Sequence, residues 1–184
     1  MDGVDVRDMT QKELRDKLGY VPQKGVLFSG TIDSNIRYGK PEITDAQVKE
    51  AAEVAQATEF IDTKPEKYKS PVSQGGTNVS GGQKQRLSIA RAIAKDPEIF
   101  IFDDSFSALD FKTDSQLRKA LKEYTKDATT VIVAQRISTI LGADQIIVLD
   151  DGHMAGIGTH KELMANCEVY QQIARSQLSE EELA

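Results

Sequence analysis

The sequence is poor in cysteine, in long apolar runs and in positive charge. Cys167 is the only cysteine among 184 residues, which rules out an intrachain disulfide and favours a reducing, cytosolic setting. No apolar run approaches the roughly 20 residues that span a bilayer. Residues 1–8 are charged and lack a signal-peptide pattern. We therefore expect the chain to be soluble on its own.

The net charge disfavours one class of partner. Twenty-nine acidic residues against 23 basic ones give a formal net charge of −6. Proteins that bind nucleic acid normally carry a basic patch. The densest basic stretch here, Lys84 to Arg91, is equally well explained by a helix with a solvated basic face. We predict that nucleic acid is not a partner.

The order of helical and strand-like segments predicts an α/β fold. Four segments match the capping box that begins a helix, in which a hydroxyl and a Glu or Gln satisfy backbone donors reciprocally. They are Thr10–Glu13, Thr44–Gln47, Ser80–Gln83 and Thr159–Glu162. Three short apolar runs, at 99–102, 130–134 and 145–149, are typical of strands buried on both faces of a parallel sheet.

Other segments complete the predicted organisation. Residues 41–77 contain helical pattern but no convincing strand, which indicates an inserted helical lobe. Asp150 to Gly152 predicts a tight turn between antiparallel strands. Lys161 to Ser176 is expected to be helical, and Ser179 to Glu182 to be a frayed acidic end.

Two segments are candidates for binding phosphate and metal. Ser80, Gly81, Gly82 and Gln83 open a helix with uncovered N–H groups at the positive end of its dipole, which suits phosphate oxygens. Taken alone, this tetrapeptide is better explained by simple capping, because capping boxes are common. Asp103 and Asp104 directly follow the strand at 99–102. Carboxylates at the carboxyl end of such a strand can hold Mg²⁺ through water.

Together these segments resemble the signature motif and the Walker B motif of ABC ATPases, in the same order and at similar spacing. Four further segments resemble landmarks of that family. They are Tyr20 to Lys24 (Q-loop), Leu27 to Ile36 (the continuation typical of exporters), Ser107 to Asp110 (D-loop) and Val133 to Ile140 (switch region). The resemblance covers essentially all of the chain and implies a core like that of P-loop NTPases with an inserted helical subdomain.

The resemblance implies a role for each matched residue. Asp103 would organise Mg²⁺, and Gln23 would reach the metal and the attacking water. Ser80, Gly81 and Gly82, with Gln83 beside them, would contact the γ-phosphate of ATP held mainly by a second nucleotide-binding domain, arranged head to tail. Asp110 would link the two sites across that interface. The segment from Pro22 to Ile36 would face the coupling helices of a transmembrane domain, at the cytoplasmic side of the cell membrane.

The sequence departs from the family at several positions. No G-x-x-x-x-G-K-[ST] occurs, so we expect the chain to lack the phosphate-binding loop with its strand and helix. Asp104 stands where active members carry a catalytic Glu, and Gln135 stands where His is usual. A carboxylate displaced by about 1 Å can cost on the order of 10²-fold in rate. Gln cannot carry a proton or a positive charge. Gln74 also replaces a common Glu, which puts the coupling contacts in doubt.

These departures resemble the degenerate half of a heterodimeric exporter. The expected division is a partial α/β core with the Q-loop at 1–40, a helical subdomain with the signature helix at 41–95, and an α/β core with Walker B, D-loop, switch region and C-terminal helices at 96–184. The chain alone is expected to be inactive as an ATPase. Two alternatives stay open: a soluble ABC ATPase without a membrane partner, and a non-catalytic interaction module.

One consequence for assembly follows from the expected missing strand. The resemblance places the strand at 99–102 beside the strand that feeds the phosphate-binding loop. Its absence would leave the edge of the 99–102 strand exposed. Unpaired edges of apolar strands associate readily. We therefore predict that the chain aggregates or forms edge-to-edge oligomers.

Overall fold

The computed structural model describes residue 1 and residues 3–179. The predicted acidic end at 180–182 lies outside the described residues. The chain divides into two compact units, residues 1–133 and residues 134–184. The three-part division expected from the sequence stays a prediction. Within the described ranges, no helix is long and apolar enough to cross a membrane.

The first unit contains most of the helices and a parallel sheet. Its helices are α1 (Gln11–Lys17), α2 (Ile32–Ile36), α3 (Asp45–Val54), α4 (Thr58–Asp62), α5 (Gly81–Ala94) and α6 (Phe111–Tyr124). Its strands are β1 (Leu18–Val21), β2 (Gly30–Thr31), β3 (Pro71–Val72), β4 (Ile99–Asp103) and β5 (Thr129–Val133). Short 3₁₀ turns lie at Val6–Asp8, Arg37–Gly39, Lys67–Lys69 and Gln74–Gly76.

The main sheet has the strand order β1-β4-β5, with both pairs parallel. Tyr20 pairs with Ile101, and Phe102 pairs with Ile132. Parallel neighbours need a crossover connection, and α6 supplies the one between β4 and β5. The predicted α/β fold is confirmed. The predicted exposed edge of the 99–102 strand is wrong, because β4 is the central strand and is paired on both sides.

The strands differ in how deeply they are buried. Phe100 and Phe102 of β4 are 2% and 1% exposed, as a strand covered by helices requires. Val131 and Val133 of β5 are 46% and 53% exposed. The prediction that all three apolar runs are buried on both faces is therefore wrong for β5. It is also wrong for the run at 145–149, because its strand pairs antiparallel in a hairpin and leaves Ile147 and Leu149 58% and 68% exposed. In the described part of the chain, β5 pairs with a strand along one edge only.

The helical pattern predicted at 41–77 is present as α3 and α4, between β2 and α5. These helices contribute buried apolar side chains to the core of the first unit, and α3 packs against α5. One expectation was wrong, because Pro71 and Val72 form the short strand β3, antiparallel to β2. Two residues give too little apolar alternation to be recognised in a sequence.

The four predicted capping boxes are confirmed at the starts of α1, α3, α5 and α8 (His160–Asn166). In each, the hydroxyl of the N-cap accepts from the backbone N–H three residues later. A fifth box at α2 uses Thr31 and Ser34. It was not predicted because Ser replaces the usual Glu or Gln of the motif.

The basic residues of α5 do not form a solvated face, which corrects the sequence interpretation. Arg86 lies 4.9 Å from the ring centre of Phe60, and its Nη1 donates to the carbonyl of Gln56 at 2.7 Å. Arg91 is likewise partly buried, and burial lowers the pKa of both guanidinium groups. These cations bind neighbouring segments of the same unit because their aliphatic stems and planar heads pack against apolar and aromatic side chains.

The described residues of the second unit, 134–179, form a hairpin and three helices. They are α7 (Ile137–Ile140), β6 (Ile146–Asp150), β7 (His153–Gly158), α8 and α9 (Glu168–Gln177). The predicted turn is confirmed, with Asp151 and Gly152 at positive φ as such hairpin turns require. The stretch from Lys161 to Ser176 is helical as predicted, and it is divided into two helices because Cys167 is extended. The core includes Ile146, Val148, Leu163, Cys167, Tyr170 and Ala174.

Candidate functional site

Two carboxylates lie at the carboxyl end of β4. Asp103 ends the strand, and Asp104 follows with a φ of 44° in the left-handed region. Asp visits this region more readily than most residues. The N–H of Asp104 donates to the carbonyl of Val133 at 2.9 Å, which holds the turn in place. The Ser105 hydroxyl, fully buried, donates to the carbonyl of Val21 at 2.8 Å and ties the end of β4 to β1.

Strand β1 and the loop after it supply one neutral donor to each carboxylate. The hydroxyl of Tyr20 donates to Oδ2 of Asp103 at 3.0 Å. Nε2 of Gln23 donates to Oδ2 of Asp104 at 2.9 Å. The bond to the Asp103 carboxylate, together with burial, raises the pKa of Tyr20. The structure thus brings together Gln23, Asp103 and Asp104.

Tyr20 was not singled out as a site residue from the sequence. A signal existed, because parallel strands end at the same edge of a sheet and Tyr20 lies near the end of β1. The hydrogen bond from Tyr20 to Asp103 could not be predicted, because it depends on the strand register, which pairs Tyr20 with Ile101 and is known only from the structure.

The oxygen atoms around Asp103 suit Mg²⁺ better than a softer metal. Mg²⁺ is usually bound through one or two carboxylates, with water and phosphate oxygens completing its shell. The Asp103 and Asp104 pair fits that pattern. Among the described residues there is no cluster of three or more His, Cys, Asp or Glu side chains that could hold a metal. The protein side chains alone would therefore form a partial shell.

The N-terminus of α5 is capped by its own residues and open to approach. The Ser80 hydroxyl accepts from the N–H of Gln83 at 3.3 Å, and Oε1 of Gln83 accepts from the N–H of Ser80 at 3.2 Å. A Cβ added at Gly81 would meet no atom of the described residues within 4 Å. A Cβ at Gly82 would lie 3.4 Å from the carbonyl oxygen of Ala108. The signature segment and the D-loop of this chain are therefore neighbours.

Asp110 caps α6 at the end of the D-loop. Its Oδ1 accepts from the N–H of Thr113 at 2.9 Å and its Oδ2 from the Thr113 hydroxyl at 2.7 Å. These two bonds lower the pKa of the Asp110 carboxyl. The side chain is exposed at the surface of the first unit.

Gln135 belongs to the second unit and is exposed. Its backbone is held by Gln177 of α9, whose Nε2 donates to the carbonyl of Gln135 at 2.9 Å. Oε1 of the same side chain accepts from the N–H of Ile137 at 2.8 Å. Sequence reasoning missed Gln177 because it lies far along the chain and no motif marks it.

Comparison with known proteins identifies the family of this chain. The family model described as ABC transporter matches residues 1–107, which is more than half of the sequence. The chain belongs to the ABC transporter family. The resemblance seen in the motifs is confirmed, and family membership implies that nucleotide is bound.

Individual relatives agree with this assignment. An uncharacterized ABC transporter ATP-binding protein of Mycobacterium bovis is 46% identical over 180 residues, which are 96% of this chain and 31% of the relative. A Staphylococcus aureus protein provisionally named a multidrug export ATP-binding/permease protein is 44% identical over 173 residues, 94% of this chain and 30% of the relative.

A solved structure is also similar. The structure of a bacterial Atm1-family ABC exporter with ATP bound superposes with a TM-score of 0.93 at 40% identity. The match covers 97% of this chain and 32% of that one. The chain thus spans about a third of the length of the relatives it matches.

Proposed function

We propose that this chain is the ATP-binding part of an ABC exporter, with a signature motif that completes the site of a second nucleotide-binding domain. The observation that carries the proposal is the open N-terminus of α5. Ser80, Gly81 and Gly82 lie there, and in the part of the chain that the structure describes no side chain covers Gly81. The exporter named among the similar structures supports the same reading.

The signature segment would act as an anion receptor. The first N–H groups of α5 have no intrahelical partner, and the helix dipole adds partial positive charge at the same end. The γ-phosphate of ATP on the partner domain would accept from these groups, with the hydroxyl of Ser80 and the amide of Gln83 beside it. Asp110, near the start of α6, would lie at the same interface.

The chain's own carboxylates would form a weaker site. Asp103, with water, would hold Mg²⁺, which when bound neutralises charge on the phosphate oxygens. Gln23 would orient the attacking water, and Asp104 would accept the proton of that water. The side chain of Asp104 is one methylene shorter than that of the usual Glu. Gln135 would donate a hydrogen bond to phosphate without carrying charge. We propose that this site hydrolyses ATP slowly and that the partner's site is the faster one.

The exposed loop after β1 would contact the membrane part of the transporter. The segment from Pro22 to Ile36 contains both Gln23 and α2. A displacement of Gln23 would therefore be transmitted along the segment to a coupling helix bound to it. This assigns the chain to the cytoplasmic side of the cell membrane, as part of a heterodimer that couples ATP to export.

A substitution at the cap of α5 tests the proposal. Ser80→Arg in the complete two-subunit transporter would place a long cation over the phosphate receptor, and ATP turnover is expected to fall by at least about tenfold, in line with loss of a positioned contact. Thr44→Arg is the matched control, because Thr44 caps α3 with the same hydroxyl geometry. Unchanged turnover in Ser80→Arg would sink the proposal.

Binding to the isolated chain gives a second test. The chain contains no G-x-x-x-x-G-K-[ST], so titration calorimetry with Mg²⁺-ATP is expected to show little heat. Crosslinking to a second nucleotide-binding domain should increase when ATP is added. An equal yield of crosslinked product with and without ATP would favour a non-catalytic interaction module instead.

A further inference from the structure

The loop after β1 is bound to α5 by one buried side chain. Gln85 of α5 is 1% exposed, and both ends of its amide are used. Oε1 accepts from the N–H of Gly25 at 3.0 Å, and Nε2 donates to the carbonyl of Pro22 at 3.1 Å. The amide therefore satisfies one backbone donor and one backbone acceptor of the loop at the same time.

The close approach of loop and helix depends on the absence of a side chain at Gly25. A Cβ there would lie 2.8 Å from Oγ of Ser88 and 3.0 Å from the carbonyl oxygen of Lys84. Both distances are shorter than ordinary contacts, and one of the two atoms belongs to the backbone of α5. Any larger residue at this position would push the loop away from Gln85.

The two backbone groups held by Gln85 flank Gln23. Pro22 precedes Gln23, and Gly25 follows it after Lys24. Gln23 is exposed, so burial of its own side chain does little to fix its position. Its Nε2 nevertheless donates to Oδ2 of Asp104 at 2.9 Å. The backbone on either side of Gln23 must be held for an exposed side chain to keep that geometry.

We propose that Gln85 is the positioning residue of Gln23. It acts through the backbone of Pro22 and Gly25 and touches neither carboxylate. The hydrogen bonds from Gln85 to the loop are present in this chain alone. Their importance for catalysis rests on the proposed function of Gln23. Gln85 follows Ser80 by a little over one helical turn, so the helix that would receive phosphate also sets the position of Gln23.

The chemistry of the position favours an amide. Glu would keep the acceptor for Gly25 but would set a carboxylate oxygen against the carbonyl of Pro22. Met would fill the space and leave both backbone groups without partners. A buried backbone group that loses its partner is costly, so the loop is expected to move until water reaches it.

The test is a nuclear magnetic resonance measurement on the ¹⁵N-labelled chain without nucleotide. The Nε2 signal of Gln23 is identified by its loss in Gln23→Ala. Its position without the bond is read from Asp104→Ala. In Gln85→Ala, the Gln23 signal is expected to move to the position seen in Asp104→Ala. Ser88→Ala is the matched control, because the Ser88 hydroxyl is buried beside Gly25 and has no hydrogen-bond partner among the described residues.

Each outcome decides the proposal. A folded Gln85→Ala chain whose Gln23 signal stays at the original position overturns it, as does Ser88→Ala releasing Gln23 equally. If Gln85→Ala does not fold, Gly25→Ala displaces the loop from the other side, and retention of the Gln23 signal there overturns the proposal. Because no ATP is present, failure of the Ser80→Arg test leaves this result intact, and failure here leaves the nucleotide role of Ser80 intact.

Discussion

The loop from Pro22 to Ile36 and the strand β5 present opposite cases within the first unit. Residues 22–29 of this loop have no helix or strand, yet Leu27 is fully buried and α5 binds the loop backbone at several points. Strand β5 is regular and apolar, yet both Val131 and Val133 are about half exposed. Burial here follows the neighbours that each segment finds and not its own hydrophobicity or regularity.

Arg91 illustrates what holds the loop. Its guanidinium donates to the carbonyl of Val26, the carbonyl of Asn35 and Oδ1 of Asn35, each at 2.9 Å. It also lies 5.1 Å from the ring centre of Phe28 and 5.5 Å from that of Tyr38, and the two rings stack 4.1 Å apart. A planar cation with five donors can make all of these contacts at once.

The largest difference between the two segments is expected from truncating one apolar side chain in each. Leu27→Ala, in the loop, is expected to lower the free energy of unfolding by about 2–5 kcal/mol, because a fully buried side chain is removed. Val133→Ala, in the strand, is expected to cost less than about 1 kcal/mol, because the side chain is 53% exposed. Urea unfolding at equilibrium measures both. Equal losses would show that β5 is covered in solution.

The next largest effect is expected at Arg91. Arg91→Lys keeps the charge but loses the planar fork, so we expect a loss of about 1–3 kcal/mol and faster amide exchange across Val26 to Ile36. Arg175→Lys on the exposed surface of α9 is the control, expected to stay within about 0.5 kcal/mol. Unchanged exchange rates in the loop of Arg91→Lys would contradict this account.

Sequence reasoning succeeded where chemistry is local. The capping boxes at Thr10, Thr44, Ser80 and Thr159 follow from residues three positions apart, and all four are present. The α/β fold also followed, because apolar runs and helical patterns alternate along the chain. The same local logic located Asp103 and Asp104 at the end of a strand.

Reasoning from the sequence failed where a property depends on distant residues. The position of β4 between β1 and β5 depends on which strands pair, and the residues of β4 alone do not determine which strands lie beside it. The burial of Arg86 and Arg91 depends on carbonyls 30 or more positions away. The link from Gln85 to Pro22 spans 63 positions. Such contacts become visible only once the register and the helix packing are known.

The exposed strand yields a prediction about association. The edge expected to associate is that of β5, not of β4, since β5 pairs on one side only in the described residues and carries no charged side chain. Val131→Lys is expected to reduce self-association in sedimentation velocity and to change the free energy of unfolding by about 0.5 kcal/mol or less. Gln172→Lys adds the same charge on α9 and should leave association unchanged. A wild-type chain that stays monomeric at high concentration would contradict the prediction.

The smallest effect concerns the cap of α6, the helix that leads into β5. Bonds from Thr113 lower the pKa of the Asp110 carboxyl in the folded chain. A carboxyl with a folded-state pKa below its unfolded value stabilises the fold at pH above the unfolded pKa, near 3.9. That stabilisation is lost as the pH falls through the folded-state pKa. Asn caps a helix about as well as Asp but does not ionise.

Asp110→Asn should therefore unfold at a slightly lower temperature than the wild type at neutral pH, and the difference should shrink as the pH falls below about 4. Glu162 provides the comparison in the second unit, because bonds from Thr159 lower its pKa in the same way. Glu162→Gln should show the same convergence. Thermal unfolding between about pH 7 and pH 2 measures both differences. A difference for Asp110→Asn that is constant over this range would mean that its ionisation contributes nothing and that the cap acts through its neutral hydrogen bonds alone.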